Sequence, residues 1–304
     1  MKKDFLKGTE LTEGDIYKIF DLTKKYKTSR KKDAFGSILK NKTIGLIFNK
    51  PSTRTRVSFE LAIEELGGKA IYLSGDTIQT SRGETVKDTA YVLSRYLDGL
   101  VIRTYKQEEV EEYAKWASFP VINGLTDFLH PCQALTDYFT MYEVKGTLKK
   151  LKVLYIGDSN NVCNSLIIGA DILGVDIMVA SPEGYQPSKE LLALIKNKEL
   201  VKIDTDPFKF IQEADVIYTD TWVSMGNEKE ADKRRQLFQK YQVNKKLISQ
   251  AKHDFLFMHC LPAHRGWEVT DDVIDSPNSI VYQQAENRLH CQKALLDFLY
   301  TNGL

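Results

Sequence analysis

Cysteine is scarce in this sequence of 304 residues, which contains only Cys132, Cys163, Cys260 and Cys291. No two of them form a Cys-x-x-Cys pair, and their density is far below that of a disulfide-bonded scaffold. The paired ligand spacing of structural zinc sites is also absent. These absences exclude a small disulfide-rich secreted domain and a zinc-ribbon protein, and they suit a reducing compartment.

The sequence also lacks an excess of charge of either sign, and it contains no long apolar run. Lysine and arginine number 42 against 41 aspartates and glutamates, for a net charge of +1. No field of the whole protein therefore attracts nucleic acid or an anionic membrane. No stretch reaches transmembrane length, and the first eight residues contain no apolar signal segment. We expect a cytoplasmic protein that binds neither nucleic acid nor membranes and holds any anion at a local site.

What the sequence does contain is an alternation of short apolar runs with amphipathic segments. The runs predict strands at 43–48, 69–73, 99–102, 120–123, 153–157, 176–180, 200–203, 216–219, 255–258 and 279–282. Helices are predicted between them, among others at 53–66 and 207–213, and a last helix at 284–300. A charged segment, 144–152, separates two blocks. The pattern predicts two α/β domains, each with a parallel sheet, whose ligands lie at the carboxyl ends of strands.

The stretch Ser52-Thr53-Arg54-Thr55-Arg56 follows the first of these strands and opens a helix. Ser52 or Thr53 is a good N-cap. Free backbone N–H groups, the positive end of the helix dipole, hydroxyls and a guanidinium meet there, which is typical of a phosphate site. An ordinary capped helix with a solvated arginine explains the same residues. Arg56 is spaced i, i+4 from Glu60 and is predicted to be structural.

Other polar residues also follow predicted strands. His130 and Gln133 offer an imidazole and an amide that can polarise a carbonyl, although a histidine packed at a helix start is an equal alternative. Arg103 alone is better explained as a surface or capping arginine. Gly157 opens a strand-to-helix turn without the Gly-x-Gly-x-x-Gly spacing, which argues against NAD. The adjacent Asn160 and Asn161 are either plain cap residues or ligands for a zwitterion.

Two further stretches end strands in the second block. Asp220 can hold a ligand ammonium or serve as a turn aspartate. Cys260 follows His259, which suggests a nucleophile, but adjacent strand residues point to opposite faces and cannot hydrogen-bond directly. A zinc site built from His259, Cys260, His264, His290 and Cys291 matches no structural-zinc spacing, so no metal is expected.

Four stretches together resemble the aspartate/ornithine carbamoyltransferase family, in order and over nearly the whole chain. They are Ser52-Thr53-Arg54-Thr55-Arg56, His130-Pro131-Cys132-Gln133, Asp220-Thr221-Trp222-Val223-Ser224-Met225-Gly226 and His259-Cys260-Leu261-Pro262. The last two resemble the ornithine branch. The resemblance implies two α/β domains of similar size: a carbamoyl phosphate-binding domain, 1–147, joined by the returning C-terminal helix, 284–304, and an ornithine-binding domain, 148–283.

The resemblance also implies roles for individual residues. Those expected to bind carbamoyl phosphate are Ser52, Thr53, Arg54, Thr55, Gln79, Arg103, His130, Gln133, Cys260, Leu261 and Arg288. Gln79 is expected to reach the site of a neighbouring subunit. Those expected to bind ornithine are Asn161, Asp220, Ser224 and Met225. Catalysis is expected to depend on Arg54, Thr55, Arg103, His130 and Cys260.

The implied reaction converts carbamoyl phosphate and L-ornithine into citrulline and phosphate, with no cofactor and no covalent enzyme intermediate. The implied assembly is a homotrimer with active sites at subunit interfaces, or a larger assembly of trimers. The Ser-Met-Gly loop and the end of the chain at Leu304 favour ornithine over putrescine. A non-catalytic phosphometabolite-binding protein of the same fold is the alternative from another class. The chain departs from the family at Asn49, Ser159 and Trp267, where acidic, glycine and polar residues are common.

Overall fold

A computed structural model describes most of the chain, and every structural statement below concerns those residues. They are 3–30, 37–75, 78, 83–223 and 230–301. The chain divides into two compact units of similar size. The first unit comprises residues 1–139 and 286–304, and the second comprises 140–285.

The first unit alternates helices and strands from its start. Its elements are α1 (Glu13–Ser29), β1 (Thr43–Phe48), α2 (Thr53–Glu65), β2 (Lys69–Ser74), α3 (Val86–Leu93), β3 (Gly99–Arg103), α4 (Gln107–Trp116), β4 (Val121–Leu125) and most of α5 (Pro131–Lys145). The greater part of the C-terminal helix, α11 (Val281–Thr301), also belongs to this unit. The predicted return of that helix to the first domain is confirmed.

The first sheet is parallel throughout and has the order β2-β1-β3-β4. Residues 44–48 of β1 are buried, as expected for a central parallel strand that helices cover on both faces. The chain runs from β1 to β2 on one side and places β3 on the other side. The point where the direction reverses, between β1 and β3, is where such sheets bind ligands. Phe48 and Arg103 pair there, at the carboxyl ends of the two strands.

The second unit repeats the architecture. Its elements are β5 (Lys152–Ile156), α6 (Asn161–Leu173), β6 (Asp176–Ala180), α7 (Lys189–Leu194), β7 (Val201–Asp204), β8 (Val216–Thr219), α8 (Ala231–Phe238), α9 (Lys245–Ile248), β9 (Leu256–Met258) and α10 (Asp271–Ile274). Its sheet is parallel with the order β7-β6-β5-β8-β9. The reversal lies between β5 and β8, so the loops after these strands border its ligand position.

Two predicted elements of the second unit are wrong. Residues 207–213 form turns rather than a helix, since the N–H groups of Lys209 and Glu213 bond to carbonyls only three residues back. Asp204 accepts from the N–H of Asp206, and Asp206 accepts from that of Phe208. The strand predicted at 279–282 is a single bridge between Ser279 and Phe257, and the chain then enters α11.

The limits between the units fall inside two helices. The first limit, after residue 139, lies within α5, and the second, after residue 285, lies within α11. The predicted domain limits are 147/148 and 283/284, and they stay predictions. Among the described residues, no helix is long and apolar enough to cross a membrane.

His290, on α11, makes stability depend on pH. Burial is the main cause that lowers the pKa of His290 from 6.5 to about 4, and nearby lysine and arginine side chains act in the same direction. Between these two values the unfolded chain carries a proton that the folded chain does not. The free energy of unfolding is therefore expected to fall as the pH is lowered from about 6.5 to about 4.

Urea unfolding at several pH values checks this prediction. The His290→Gln variant should lose stability less steeply over the same interval, because it has no imidazole to protonate. His253, which is exposed, provides the control for removing one imidazole, as His253→Gln. Equal slopes for the parent and His290→Gln would contradict the prediction.

Candidate functional site

The amino end of α2 forms an anion cradle in the first unit. Ser52 is the N-cap, and its hydroxyl accepts a hydrogen bond from the Thr55 N–H at 3.2 Å. The first turn contains no acidic residue, so the positive end of the helix dipole is not neutralised. Thr53 and Arg54 are exposed there, while Thr55 is buried. The predicted cap is confirmed, and the exposed hydroxyl and guanidinium are available to an anion.

Arg56 takes no part in this cradle. Its Nε donates to Glu60 at 2.9 Å, and its guanidinium lies 3.7 Å from the centre of the Tyr72 ring. The prediction that Arg56 is structural and pairs with Glu60 is confirmed.

Two arginines from distant parts of the chain join the cradle region. Arg288, on α11, is buried and donates to the Thr55 hydroxyl at 3.0 Å. Arg103 ends β3, is buried, and pairs in the sheet with Phe48, four residues before Ser52. The simpler explanation of Arg103 as a surface arginine is therefore wrong. Burying two cations near a helix N-terminus favours an anionic ligand.

His130 is buried at the start of α5, where its carbonyl accepts from the N–H of Gln133 at 3.0 Å. Burial lowers the pKa of His130 well below its ordinary value, and the positive charges of Arg288 and Arg103 lower it further. The imidazole is therefore neutral at pH 7. A neutral imidazole surrounded by cations can donate to a developing oxyanion without carrying charge itself.

Gln133 and Cys132 both lie in the first turn of α5, but only one of them has a polar atom that a ligand can use. The Gln133 amide donates to Asp137 at 2.8 Å, and its oxygen is buried with no hydrogen-bond partner among the described residues. That oxygen can accept from a substrate amide. The Cys132 thiol contacts the Asn123 carbonyl at 3.3 Å, and burial raises the pKa of Cys132 to about 12. Cys132 is therefore a packing residue and not a nucleophile.

The second unit gathers its polar groups after β5 and β8. Asn160 caps α6 by accepting from the N–H groups of Val162 and Cys163, at 3.0 and 3.2 Å. Its amide donates to Asp220 at 2.7 Å, while the Tyr155 hydroxyl donates to its oxygen at 3.2 Å. Burial raises the pKa of Tyr155, which keeps this donor protonated.

The sequence offers both asparagines at the start of α6 as plain caps or as ligands for a zwitterion, and the structure distinguishes them. Asn161 is the first residue of α6 and is half-buried. Asn160 occupies the N-cap position, for which asparagine is strongly preferred. Asn160 therefore caps the helix and orients Asp220.

In the second unit, the side chains of Asp220 and Cys260 contact each other. The Cys260 Sγ lies 3.1 Å from Asp220 Oδ1, which also accepts from the Thr221 N–H at 2.8 Å. Asp220 is buried and Cys260 is half-buried. A carboxylate and a thiol side by side can hold an ammonium and accept its proton. The thiol donates to a carboxylate, while the His259 imidazole accepts from Leu261 and faces Glu268, so the pair does not have the geometry of a cysteine–histidine nucleophile.

His259 instead supports the loop that presents Cys260. Its Nδ1 accepts from the Leu261 N–H at 2.8 Å, so its proton is on Nε2, which lies 3.3 Å from Glu268. Glu268 is fully buried and also accepts from the His264 N–H at 2.5 Å. Leu261 has a φ of 57° and is followed by a cis peptide bond to Pro262. No motif in the sequence pointed to Glu268, which lies four residues after His264.

Of the five residues weighed above as zinc ligands, His259 and Cys260 alone belong, within the described residues, to a group of three or more candidate metal donors. Donor atoms of Asp220, His259 and Cys260 do lie within 4.8 Å of one another. Three protein ligands of this kind can hold a metal ion with an open position, but a structural zinc site needs four.

Arg234, on α8, braces the two loops of the second unit. It is buried and donates to Asp158 at 2.6 Å and to the Trp222 carbonyl at 2.9 Å. Burial raises the pKa of Asp158, and the ion pair with Arg234 opposes that effect. The loop that follows β5 and the loop that follows β8 are thereby held by one guanidinium. Gln79, Ser224 and Met225 lie outside the described residues.

Comparisons with known proteins match two consecutive parts of the chain. Residues 3–143 match the family model described as "Aspartate/ornithine carbamoyltransferase, carbamoyl-P binding domain". Residues 149–299 match the model described as "Aspartate/ornithine carbamoyltransferase, Asp/Orn binding domain". The second match includes residues 286–299, with Arg288, which the structure assigns to the first unit.

Individual relatives match over almost their whole length. An ornithine carbamoyltransferase of Pyrococcus horikoshii is 53% identical over 302 residues, covering 98% of this chain and 95% of the relative. A solved ornithine carbamoyltransferase from Pyrococcus furiosus has a TM-score of 0.93 at 53% identity, covering 97% of this chain and 96% of that one. The anabolic enzyme from Campylobacter jejuni has a TM-score of 0.92 at 39% identity, covering 99% of both chains. The chain belongs to the aspartate/ornithine carbamoyltransferase family.

Proposed function

We propose that the protein transfers the carbamoyl group of carbamoyl phosphate to the side-chain amine of L-ornithine, giving L-citrulline and phosphate. The observation that carries this proposal is the similarity to relatives named ornithine carbamoyltransferase, which are 52–53% identical over 97–98% of this chain. The buried carboxylate–thiol pair of Asp220 and Cys260 supports it, because an amine substrate needs such a partner.

In this proposal the first unit binds carbamoyl phosphate. The phosphate occupies the cradle at the amino end of α2, with ligands from Ser52, Thr53, Arg54 and Thr55. Arg103 and Arg288 neutralise its charge, and the neutral His130 donates to the carbonyl oxygen. The buried amide oxygen of Gln133 accepts from the carbamoyl NH₂ group. We assign the carbamoyl phosphate-binding domain to 1–147 with 284–304.

The second unit binds ornithine, and we assign that domain to 148–283. Asn161 and Asp220 hold the amino acid together with Ser224 and Met225. A lysine-like amine has a pKa near 10.4, so only about one molecule in a few thousand is neutral at pH 7. Asp220 and Cys260 orient the amine and assist the loss of its proton. Cys260 and Leu261 line the junction of the two substrates.

The reaction then needs no covalent enzyme intermediate. The amine nitrogen attacks the carbonyl carbon, and negative charge develops on the carbonyl oxygen. Thr55, Arg103 and His130 stabilise that oxygen, and losing one donor of this type typically costs about 2.7–4 kcal/mol of barrier. The bond from carbon to the bridging oxygen breaks, and phosphate leaves with charge stabilised by Arg54 and Arg103. The nitrogen gives its remaining extra proton to the departing phosphate, and citrulline is formed.

The assembly and location are part of the proposal. We propose a homotrimer or a larger assembly of trimers in the cytoplasm, in which Gln79 completes the site of a neighbouring subunit. Sedimentation of the purified protein measures the assembly directly.

A citrulline assay with carbamoyl phosphate and a panel of amines tests the function. We expect turnover with L-ornithine and at least about 100-fold lower kcat/KM with putrescine, N-acetylornithine and lysine, because each lacks or displaces a group that the site binds. Faster turnover of putrescine than of ornithine would show that putrescine is the substrate. If no amine were carbamoylated while the protein still bound phosphate, the result would favour a non-catalytic binding protein.

A further inference from the structure

Asn49 lies between the end of β1 and the phosphate cradle. Its backbone N–H donates to the carbonyl of Arg103 at 2.8 Å, directly after Phe48 and Arg103 pair in the sheet. The hydrogen bonding between β1 and β3 therefore extends by one residue beyond the strands. At Asn49 the chain leaves the sheet and continues to Ser52. Arg103 is at the end of the neighbouring strand, β3.

The Asn49 side chain closes a ring of hydrogen bonds with the loop that follows β3. Its Nδ2 donates to the Thr104 hydroxyl at 2.9 Å and to Glu109 Oε1 at 3.1 Å. The Thr104 hydroxyl in turn donates to Glu109 Oε2. Because Thr104 has one hydroxyl hydrogen and gives it to Glu109, it must accept from residue 49. Glu109 is in the first turn of α4, where the helix dipole favours its negative charge.

A third segment packs against the other side of the same amide. A Cβ atom on Gly75 would lie 2.2 Å from Asn49 Oδ1, so the backbone after β2 contacts this side chain closely. The Gly75 N–H also donates to the carbonyl of Phe48 at 2.9 Å. Three segments that leave the carboxyl edge of the first sheet, after β1, β2 and β3, thus meet at Asn49.

We propose that Asn49 is a positioning residue for carbamoyl phosphate. Its amide sets the separation between the cradle of Ser52 and Thr55 and the guanidinium of Arg103, so both can contact one phosphate. This inference rests on the proposed function only in placing the phosphate at that cradle. An aspartate at position 49 supplies neither hydrogen, and it brings a second carboxylate against Glu109. Repulsion between the two carboxylates then separates the loops that Asn49 joins.

The Asn49→Asp variant tests the proposal with inorganic phosphate as the probe. We expect the calorimetric dissociation constant of phosphate and the KM for carbamoyl phosphate to rise about 10-fold. The KM for ornithine should change by less than about twofold, because the second unit contributes its ligands. Asn41→Asp is the matched control: it makes the same change at an exposed residue near the amino end of β1. It should bind phosphate like the parent.

A double variant distinguishes a positioning role of Asn49 from a general loss of structure in the Asn49→Asp protein. In Asn49→Asp with Glu109→Gln, the new glutamine amide donates to the new aspartate, so the ring is restored with its direction reversed. Phosphate affinity should return to within about threefold of the parent.

Two results would overturn the proposal. One is unchanged phosphate affinity in Asn49→Asp. The other is a double variant that unfolds at the parent's urea midpoint but binds phosphate as weakly as Asn49→Asp. A parent protein that binds phosphate but carbamoylates no amine refutes the proposed function alone, and the four phosphate affinities still decide the role of Asn49. A parent that does not bind phosphate refutes both.

Discussion

Replacement of Arg54 by alanine is expected to lower kcat/KM for carbamoyl phosphate by at least about 10²–10³-fold, the usual loss for one charged donor to the transition state. Arg54 is an exposed guanidinium in the first turn of α2, beside the Ser52 cap and the free N–H groups of the helix. Because it contributes charge to the departing phosphate, both KM and kcat should suffer. Steady-state kinetics with each substrate varied in turn measure the effect.

Arg56→Ala is the matched control on the same helix. Arg56 pairs with Glu60 and covers the Tyr72 ring at an exposed position, so its loss should lower stability only slightly and change kcat/KM by less than about threefold. Parent-like turnover by Arg54→Ala would show that the phosphate is not bound at this cradle. Equal losses in both variants would mean that α2 as a whole, and not one guanidinium, had been disturbed.

Asp220→Asn is expected to lower kcat/KM for ornithine by about 10²–10⁴-fold, as does the loss of a group that handles a proton in the transition state. Asparagine keeps the size of the side chain but removes the negative charge next to Cys260 and Asn160. The amine then loses both its counter-charge and the acceptor of its proton. The affinity for inorganic phosphate, measured by calorimetry, should stay within about twofold of the parent, because Asp220 belongs to the second unit.

Asp215→Asn is the control for this second substitution. Asp215 lies directly before β8, and it accepts from the Lys152 N–H and from the Lys252 ammonium. Its replacement should cost about 1 kcal/mol of stability and leave kcat/KM unchanged. If Asp220→Asn turned over ornithine normally, Asp220 would be a turn residue and not an amine ligand.

Several features followed from the sequence because their causes are local. The apolar run at 43–48 predicted β1 with its observed bounds, since a parallel strand covered on both faces has no polar alternation. Ser52 was predicted as a cap and Arg56 as the partner of Glu60 from spacings of three and four residues. Such contacts depend on helix geometry alone.

Other features needed the tertiary structure. Arg288 contacts Thr55 across 233 residues of sequence, and a motif resemblance suggested its role where spacing could not. The choice of Asn160 over Asn161 as the partner of Asp220 depends on how β5 and β8 pair. The helix predicted at 207–213 is replaced by turns, in which backbone hydrogen bonds span three residues.

The sequence by itself determined the βα alternation, the caps, and the residue types that an anion and an amine require. The tertiary structure decided their electrostatic state and their partners. His130 is neutral because it is buried and because Arg103 and Arg288 are placed near it. Sheet order brings these groups together, and it places Asn49 where three segments meet. Desolvation and charge–charge interactions act through space, so their effect on a residue cannot be read from its neighbours in the chain.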